Sequence, residues 1–378
     1  MLMKEASKSV SKRLLSLDVF RGATIAAMIL VNNPGSWQYV YPPLRHAEWN
    51  GWTFTDLIFP FFLFIVGVAI VFAFSKKMAA RVSKKDLYKK IIRRSLILFA
   101  LGLFLNGFPY FDLSSIRIMG VLQRIAVCYF IASIIFLNSS WKGQLAWCIG
   151  FLLSYWAMME WIPVPEIGAG LYETGKNFSA YIDGLLLKGH MWSYTKTWDP
   201  EGIISTLPAI STTLFGILTG HLLKSKLIEM EKTVLLFVFG TTGLFLGACW
   251  HHWLPINKSI WTSSYSIFMA GMAMICLAFA YYLVDIKGYK KGIQPAAVYG
   301  MNAITVYVLS GIVAKLLYLI KFSPQEGSEI TIKNWIYETF YNSWLGDYNA
   351  SVAFAISFIL VMYFFMWILY KKKIFIKI

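Results

Sequence analysis

In the stretch "LRHAEWNGWTFTDLIFPFFLF" (44–64), His46 stands ten residues before Asp56, with Trp49, Asn50, Gly51 and Trp52 between them. If this loop folds back over the helix that begins near Asp56, an imidazole and a carboxylate meet in a partly dry site. That is the arrangement of a general base: the imidazole takes a proton near neutral pH, and the carboxylate fixes its tautomer and stabilises the imidazolium. The alternative is structural, with His46 as a loop residue, the tryptophans as an interfacial belt and Asp56 as a helix cap. A second cluster lies in "RLLSLDVFRGATIAAMILVNN" (13–33), where Asp18 and Arg21 share a helix face. They either pair with each other, or Arg13 and Arg21 converge with Arg93 and Arg94 of "IIRRS" on an anionic ligand, since guanidinium matches phosphate. Asn32 and Asn33 precede Pro34 and Gly35, where they either end the helix or offer hydrogen bonds. In "RIMGVLQRIAVCYF" (117–130), Arg117, Gln123 and Arg124 interrupt an apolar run. An arginine that deep needs a carboxylate, a carbonyl or an anionic ligand, and the spacing of Arg117 and Arg124 predicts two turns along one helix face.

Other chemistries find little support. His190, His221, His251 and His252 show no HxxxH spacing and no acidic partner nearby, so no metal is expected. The four cysteines fall in or beside apolar runs without a CxxC, which predicts buried apolar roles. No GxSxG, Walker A or dinucleotide fingerprint stands between a strand and a helix.

The elements that must hold these residues are membrane helices. Of 378 residues, 58% are apolar and 14% charged, against roughly 45–50% and about 25% in soluble domains. The pattern predicts ten spans at about 14–33, 55–75, 93–108, 117–137, 144–161, 202–222, 233–250, 262–284, 295–318 and 350–370. The fold class is therefore all-α, a polytopic membrane bundle read as one domain over 1–378. The formal charge of +16 does not indicate nucleic acid, because 24 of 35 basic residues fall in loops on the side of the N-terminus, 8 on the other side and 3 inside predicted spans. The positive-inside rule then predicts cytoplasmic termini. The first span carries Asp18 and Arg21 and no small-residue cleavage site, so it is expected to stay as a span.

Seven ordered blocks, "RLLSLDVFRG", "VNN", "HAEWNGWTFTDLIFPFFLFIVG", "RIMGVLQRIA", "DPEGIISTLPAI", "LPINKSIW" and "YGMNAITVY", run from residue 13 to about 307. Through them the chain resembles the heparan-α-glucosaminide N-acetyltransferase family, transmembrane enzymes whose bacterial members lack the lumenal N-terminal domain of the lysosomal enzyme. The resemblance implies acetyl transfer from cytoplasmic acetyl-CoA to the amine of a glucosamine-type sugar on the outer face of the inner membrane. It places the family's active-site histidine on His46, with Asn32 and Asp56 beside it. It implies a donor site at Arg13, Asp18, Arg21, Arg93 and Arg94, with Gln123 and Arg124 along the pantetheine arm. Trp49, Asn50, Glu201, Asn257, Lys258 and Asn302 become the acceptor-side candidates. The expected partners are the amino sugar and the lipid bilayer, with room for a homodimer, and no metal is implied. Whether the acetyl group passes directly or through an acetyl-histidine stays open, and an amino-sugar transporter is the alternative class. The stretch from Asn32 to His46 is longer than in the lysosomal enzyme and holds Pro42 and Pro43.

Overall fold

The computed structural model describes residues 14–323 and 329–376, so Arg13 lies outside the described residues. The chain is a helical bundle: α1 (Leu15–Asn32), α2 (Phe54–Ala79), α3 (Lys84–Gly107), α4 (Val121–Asn138), α5 (Trp141–Trp161), α6 (Phe178–Leu186), α7 (Thr206–Lys224), α8 (Glu229–Trp250), α9 (Ser263–Tyr281), α10 (Gln294–Met301), α11 (Ala303–Leu319), α12 (Ile332–Tyr337), α13 (Ser343–Leu345) and α14 (Asp347–Lys371). One small antiparallel ribbon pairs Lys321–Phe322 with Ile330–Thr331.

Every predicted span coincides with a helical segment, but they are not equivalent. Among the described residues, seven helices are long and apolar enough to cross a membrane: α1, α2, α4, α7, α8, α9 and α14. α3 and α5 are not among them; α3 begins with the charged stretch "KKDLYKKIIRR". The predicted span 295–318 is broken at Asn302, where α10 and α11 meet at 85°. Arg117 also departs from expectation. α4 starts only at Val121, after Gly120, so Arg117 and Arg124 do not share a helix face.

Backbone proximity fixes the centre of the bundle. A Cβ on Gly67 of α2 would lie 1.9 Å from the Thr213 carbonyl oxygen of α7, and one on Gly216 2.0 Å from the Phe64 carbonyl oxygen. Small residues let helices touch in this way where lipid supplies no hydrophobic drive between them. α7 thereby becomes the inner helix, buried over most of its length. α8 and α14 face outward instead, exposing Val234, Phe237, Phe245, Leu360 and Phe364, the surface expected against acyl chains.

The two ends of the bundle differ chemically. The basic end carries the α2–α3 turn with Lys76, Lys77, Lys89 and Lys90. The start of α1 lies there too, anchored by Asp285, whose carboxylate accepts from Leu15 N and Ser16 N at 3.2 and 3.0 Å. The chain returns to this end after α14: Asn302 donates to the Ile374 carbonyl at 3.1 Å and accepts from Ile376 N at 2.9 Å. The opposite end carries the loop 33–53 and His46, and is called the histidine end below.

Candidate active site

The loop 33–53 folds back over the start of α2. Arg45 Nε donates to the Val40 carbonyl at 2.7 Å, Thr53 Oγ1 to the Arg45 carbonyl at 2.5 Å and Thr55 Oγ1 to the Pro43 carbonyl at 3.4 Å. This geometry brings His46 Nδ1 to 2.6 Å from Asp56 Oδ1. The other carboxylate oxygen of Asp56 accepts from Ala47 N and Thr53 N, both at 3.0 Å. Asp56 is therefore both helix cap and histidine partner, one oxygen for each task, and Tyr265 OH holds its carbonyl at 2.6 Å.

A buried carboxylate acceptor at Nδ1 assigns the imidazole proton to that nitrogen and leaves Nε2 as a free base. Half of the His46 side chain is open, whereas Asp56 is 1% exposed. Burial and the ammonium of Lys258 lower the His46 pKa below its usual value, while Asp56 and Glu201 pull it back only in part. The balance favours the neutral imidazole, the form able to accept a proton.

Lys258 is brought here by a distant segment. Gly51 N donates to the Ile256 carbonyl at 2.7 Å, and Gly51 and Asn257 form a parallel bridge. Gly51 has φ 95°, which an L side chain rarely tolerates. Asn257 is buried and donates to Asn50 Oδ1 at 3.2 Å. Trp49 Nε1 donates to the Tyr172 carbonyl at 2.7 Å, and its ring meets Trp198 edge-on at 5.2 Å.

Beside this group stands an ion network. Arg117 grips Asp199 with two hydrogen bonds, at 2.8 and 2.5 Å, and also pairs with Glu201. Burial disfavours the Arg117 charge, but Glu201 and Asp199 overcome this and raise its pKa. Burial also works against the Glu201 carboxylate, yet Arg117 and Lys258 hold its pKa below the usual range. The loop that presents Glu201 is pinned by Asp183 of α6, which accepts from Asp199 N at 3.2 Å and Ile203 N at 2.9 Å. Burial pushes the Asp183 pKa up to about 6, against those two backbone donors. Arg117→Ala would leave two buried carboxylates without their cation. We expect it to lower stability by about 3–5 kcal/mol, read as a reduced unfolding midpoint in detergent, while Lys176→Ala at an exposed pair leaves the midpoint unchanged.

At the basic end a cavity of about 610 Å³ opens between α1, α2, α3, α4 and α11. Arg21, Lys77, Lys90, Arg93 and Arg94 line it, and toward the histidine end its walls become apolar, with Phe62, Ile65, Ile125 and Ile304. From Lys77 to Phe62 the axis of α2 advances roughly 22 Å. Arg94 stacks over the Tyr129 ring at 4.7 Å. Arg21 donates to Asp18 at 3.4 Å and to the Gly300 carbonyl at 3.2 Å.

The site residues expected from sequence thus fall into separate groups. His46, Asp56, Trp49, Asn50, Glu201, Asn257 and Lys258 gather at the histidine end, while Arg21, Arg93 and Arg94 share the basic cavity. Asn32 ends α1, exposed, and no hydrogen bond joins it to His46. Asn302 lies at the basic end, apart from the other acceptor-side candidates, where it clamps the segment 374–376 at the break between α10 and α11. Gln123 and Arg124 are not among the residues lining the cavity. Arg124 is fully buried, donates to the Gly202 carbonyl at 3.0 Å and to Ser205, and stacks over Trp261 at 5.1 Å. Of the partners a deep arginine could take, the structure supplies a carbonyl and a hydroxyl from the segment that leads into α7.

Sequence reasoning missed Asp183, Asp199 and Tyr172 at one end, and Lys77, Lys90 and Tyr129 at the other. In the sequence these lysines carry only a topology signal. Three of the other four histidines have hydrogen-bond partners, His190 facing the Ile116 carbonyl, His221 facing Gln144 and His251 accepting from Ile256 N, while the His252 ring meets Trp253 edge-on at 6.4 Å.

Seven membrane-length apolar helices among the described residues define a polytopic membrane bundle in which α2 runs from the histidine–aspartate pair to the basic cavity. The profile of the family "Heparan-alpha-glucosaminide N-acetyltransferase, catalytic" matches residues 13–245. The chain belongs to that family. It is 29% identical to the mouse (Mus musculus) heparan-alpha-glucosaminide N-acetyltransferase, over 80% of this chain and 54% of that one, and 30% identical to the human (Homo sapiens) protein, over 78% and 52%. It spans about half the length of these curated relatives.

Proposed function

We propose that this protein transfers the acetyl group of acetyl-CoA to the amine of a glucosamine-type sugar across a bacterial inner membrane. The observation that carries this reading is a carboxylate-oriented imidazole held by Asp56 at the start of α2, with a basic, apolar-tipped cavity along the rest of the same helix. Five cations at the cavity mouth suit the phosphates of CoA, and the apolar wall beyond them suits the pantetheine arm. The basic end faces the cytoplasm in this reading, where acetyl-CoA is made, and both termini lie there.

At the histidine end Asn50, Asn257 and Glu201 offer hydrogen bonds to sugar hydroxyls, with Trp49 as an apolar wall. The sugar amine attacks the thioester carbonyl, and His46 Nε2 takes the amine proton. The C–N bond forms, the C–S bond breaks, and the proton returns from the imidazolium to the leaving thiolate, giving free CoA. Asp56 holds the imidazole orientation throughout. Asn32 serves as donor to the developing oxyanion, a contact worth roughly 2.7–4 kcal/mol. An acetyl-histidine intermediate uses the same residues in two steps. Gln123 and Arg124 act from behind the cavity wall, through the packing of α4 on α7.

The direct test incubates purified protein with labelled acetyl-CoA and a panel of glucosamine-containing acceptors; free CoA and N-acetylated sugar are expected in equal amounts. Neutralising Arg93 and Arg94 together is expected to raise KM for acetyl-CoA about tenfold or more, because each removes a charge-assisted contact, with kcat little changed. An unchanged KM would restrict those arginines to setting topology. A second reading, amino-sugar transport, draws on the 85° break at Asn302, since broken helices build transporter sites. A transporter would move labelled sugar into vesicles unchanged and release no CoA.

A further inference from the structure

Between the basic cavity and the histidine end lies an apolar collar. Ile25 and Met28 of α1, Phe59 and Phe62 of α2, and Ile304 and Tyr307 of α11 surround a void of about 10 Å³, closed on the remaining side by α4. Phe62, Ile125 and Ile304 also wall the large cavity, so the collar adjoins it. A void of that size holds about one water-sized group.

The collar sits on the path between the two sites. Phe59 is one helical turn from Asp56, and Phe62 lies roughly 9 Å from it along the α2 axis. Its walls have little room to yield. Phe59 packs edge-on against Trp261 at 4.9 Å, and Trp261 and Ile25 are fully buried. Interiors packed at this density register a change of one methylene.

We propose that this collar measures the acyl group: it admits an acetyl and rejects longer chains. The proposal rests on the acetyl-transfer reading above. An acetyl group presents one methyl beyond its carbonyl, which a single small void accommodates; each further methylene must displace Phe62, Ile304 or Met28 from a packed arrangement. Discrimination of roughly 10–200-fold per methylene follows for a pocket of this kind. The basic mouth of the cavity is remote from the collar, so truncating collar residues alters chain-length preference and leaves the cations at the mouth in place.

The experiment compares acetyl-, propionyl- and butyryl-CoA as donors to glucosamine, using the full chain in lipid nanodiscs, for the wild type, Phe62→Ala and Ile304→Ala. The wild type is expected to lose about tenfold or more in kcat/KM per added methylene. Each truncation is expected to raise the butyryl-to-acetyl ratio of kcat/KM by about tenfold or more. Ile304→Val, which removes a single methylene, keeps the comparison should the larger truncations unfold; it is expected to favour propionyl-CoA alone. Equal use of acetyl and butyryl donors by the wild type overturns the proposal, as do folded variants that keep the wild-type ratio. A wild type that consumes no acyl-CoA of any length instead removes the functional reading on which the proposal stands.

Discussion

His46→Ala is expected to lower the rate of acetyl transfer by about 10²–10⁴-fold, the usual contribution of a positioned general base. The protein should remain folded. The imidazole is half open, and without it Asp56 still accepts from Ala47 N and Thr53 N, so the start of α2 keeps its cap. Acetyl-CoA binding should also survive, because the cations that would hold it line a cavity at the other end of α2. Titration calorimetry with CoA checks this second half. Loss of turnover together with loss of CoA binding would point to unfolding and not to a missing base.

Asp56→Asn separates orientation from proton transfer. The amide oxygen can keep the two backbone donors while its nitrogen faces His46 Nδ1, where a carboxylate oxygen stood at 2.6 Å. A donor there favours the tautomer protonated on Nε2, so that only a minority of the imidazole keeps a free base at that nitrogen. The expected loss is about 10³–10⁴-fold in kcat, with KM for acetyl-CoA unaltered. The pH dependence gives a second signature. Burial and Lys258 lower the His46 pKa and Asp56 raises it, so the base loses its proton below the ordinary histidine value. In the wild type the acidic limb of kcat/KM should therefore lie below pH 6.5, once the titration of the acceptor amine itself is divided out. Removing the carboxylate charge removes a raising influence, and the limb should move to still lower pH. A shift upward would show that Asp56 does not act through the imidazole.

The contrast between His46 and Arg117 shows what a sequence carries and what it conceals. His46 and Asp56 are ten residues apart across one loop, so a single fold-back suffices to join them and the spacing announces it. The partners of Arg117 are more than eighty residues away, on a loop whose position depends on Asp183 and on the packing of α7. No local pattern reports such a pairing. Arg117 was drawn into the fourth span because "RIMGVLQRIAVCYF" is apolar enough to read as one run; Gly120 was the only sign that the helix begins later.

The helices themselves were legible, because an apolar run of membrane length has few other ways to satisfy its backbone. The break at Asn302 was not, since "YGMNAITVY" stays apolar across it and hydropathy has no sense of direction. What sets the break is tertiary: Gly22 and Gly300 let α1 and α10 touch, a Cβ on Gly300 meeting the Asp18 carbonyl oxygen at 2.0 Å, while Asn302 ties the chain to residues 374–376. The cavity was half legible for a similar reason. Arg93 and Arg94 drew notice as a pair, whereas Lys77 and Lys90 looked like ordinary loop charges until the α2–α3 turn set all four around one opening.

Reconstitution into sealed vesicles with the basic end inward tests the central claim most directly. Acetyl-CoA is enclosed, labelled glucosamine is supplied outside, and N-acetylated sugar and free CoA are both measured by compartment. The account predicts N-acetylglucosamine outside, free CoA inside in equal amount, and no product when donor and acceptor are exchanged between compartments. Labelled glucosamine appearing inside unchanged, with no CoA released, would contradict it.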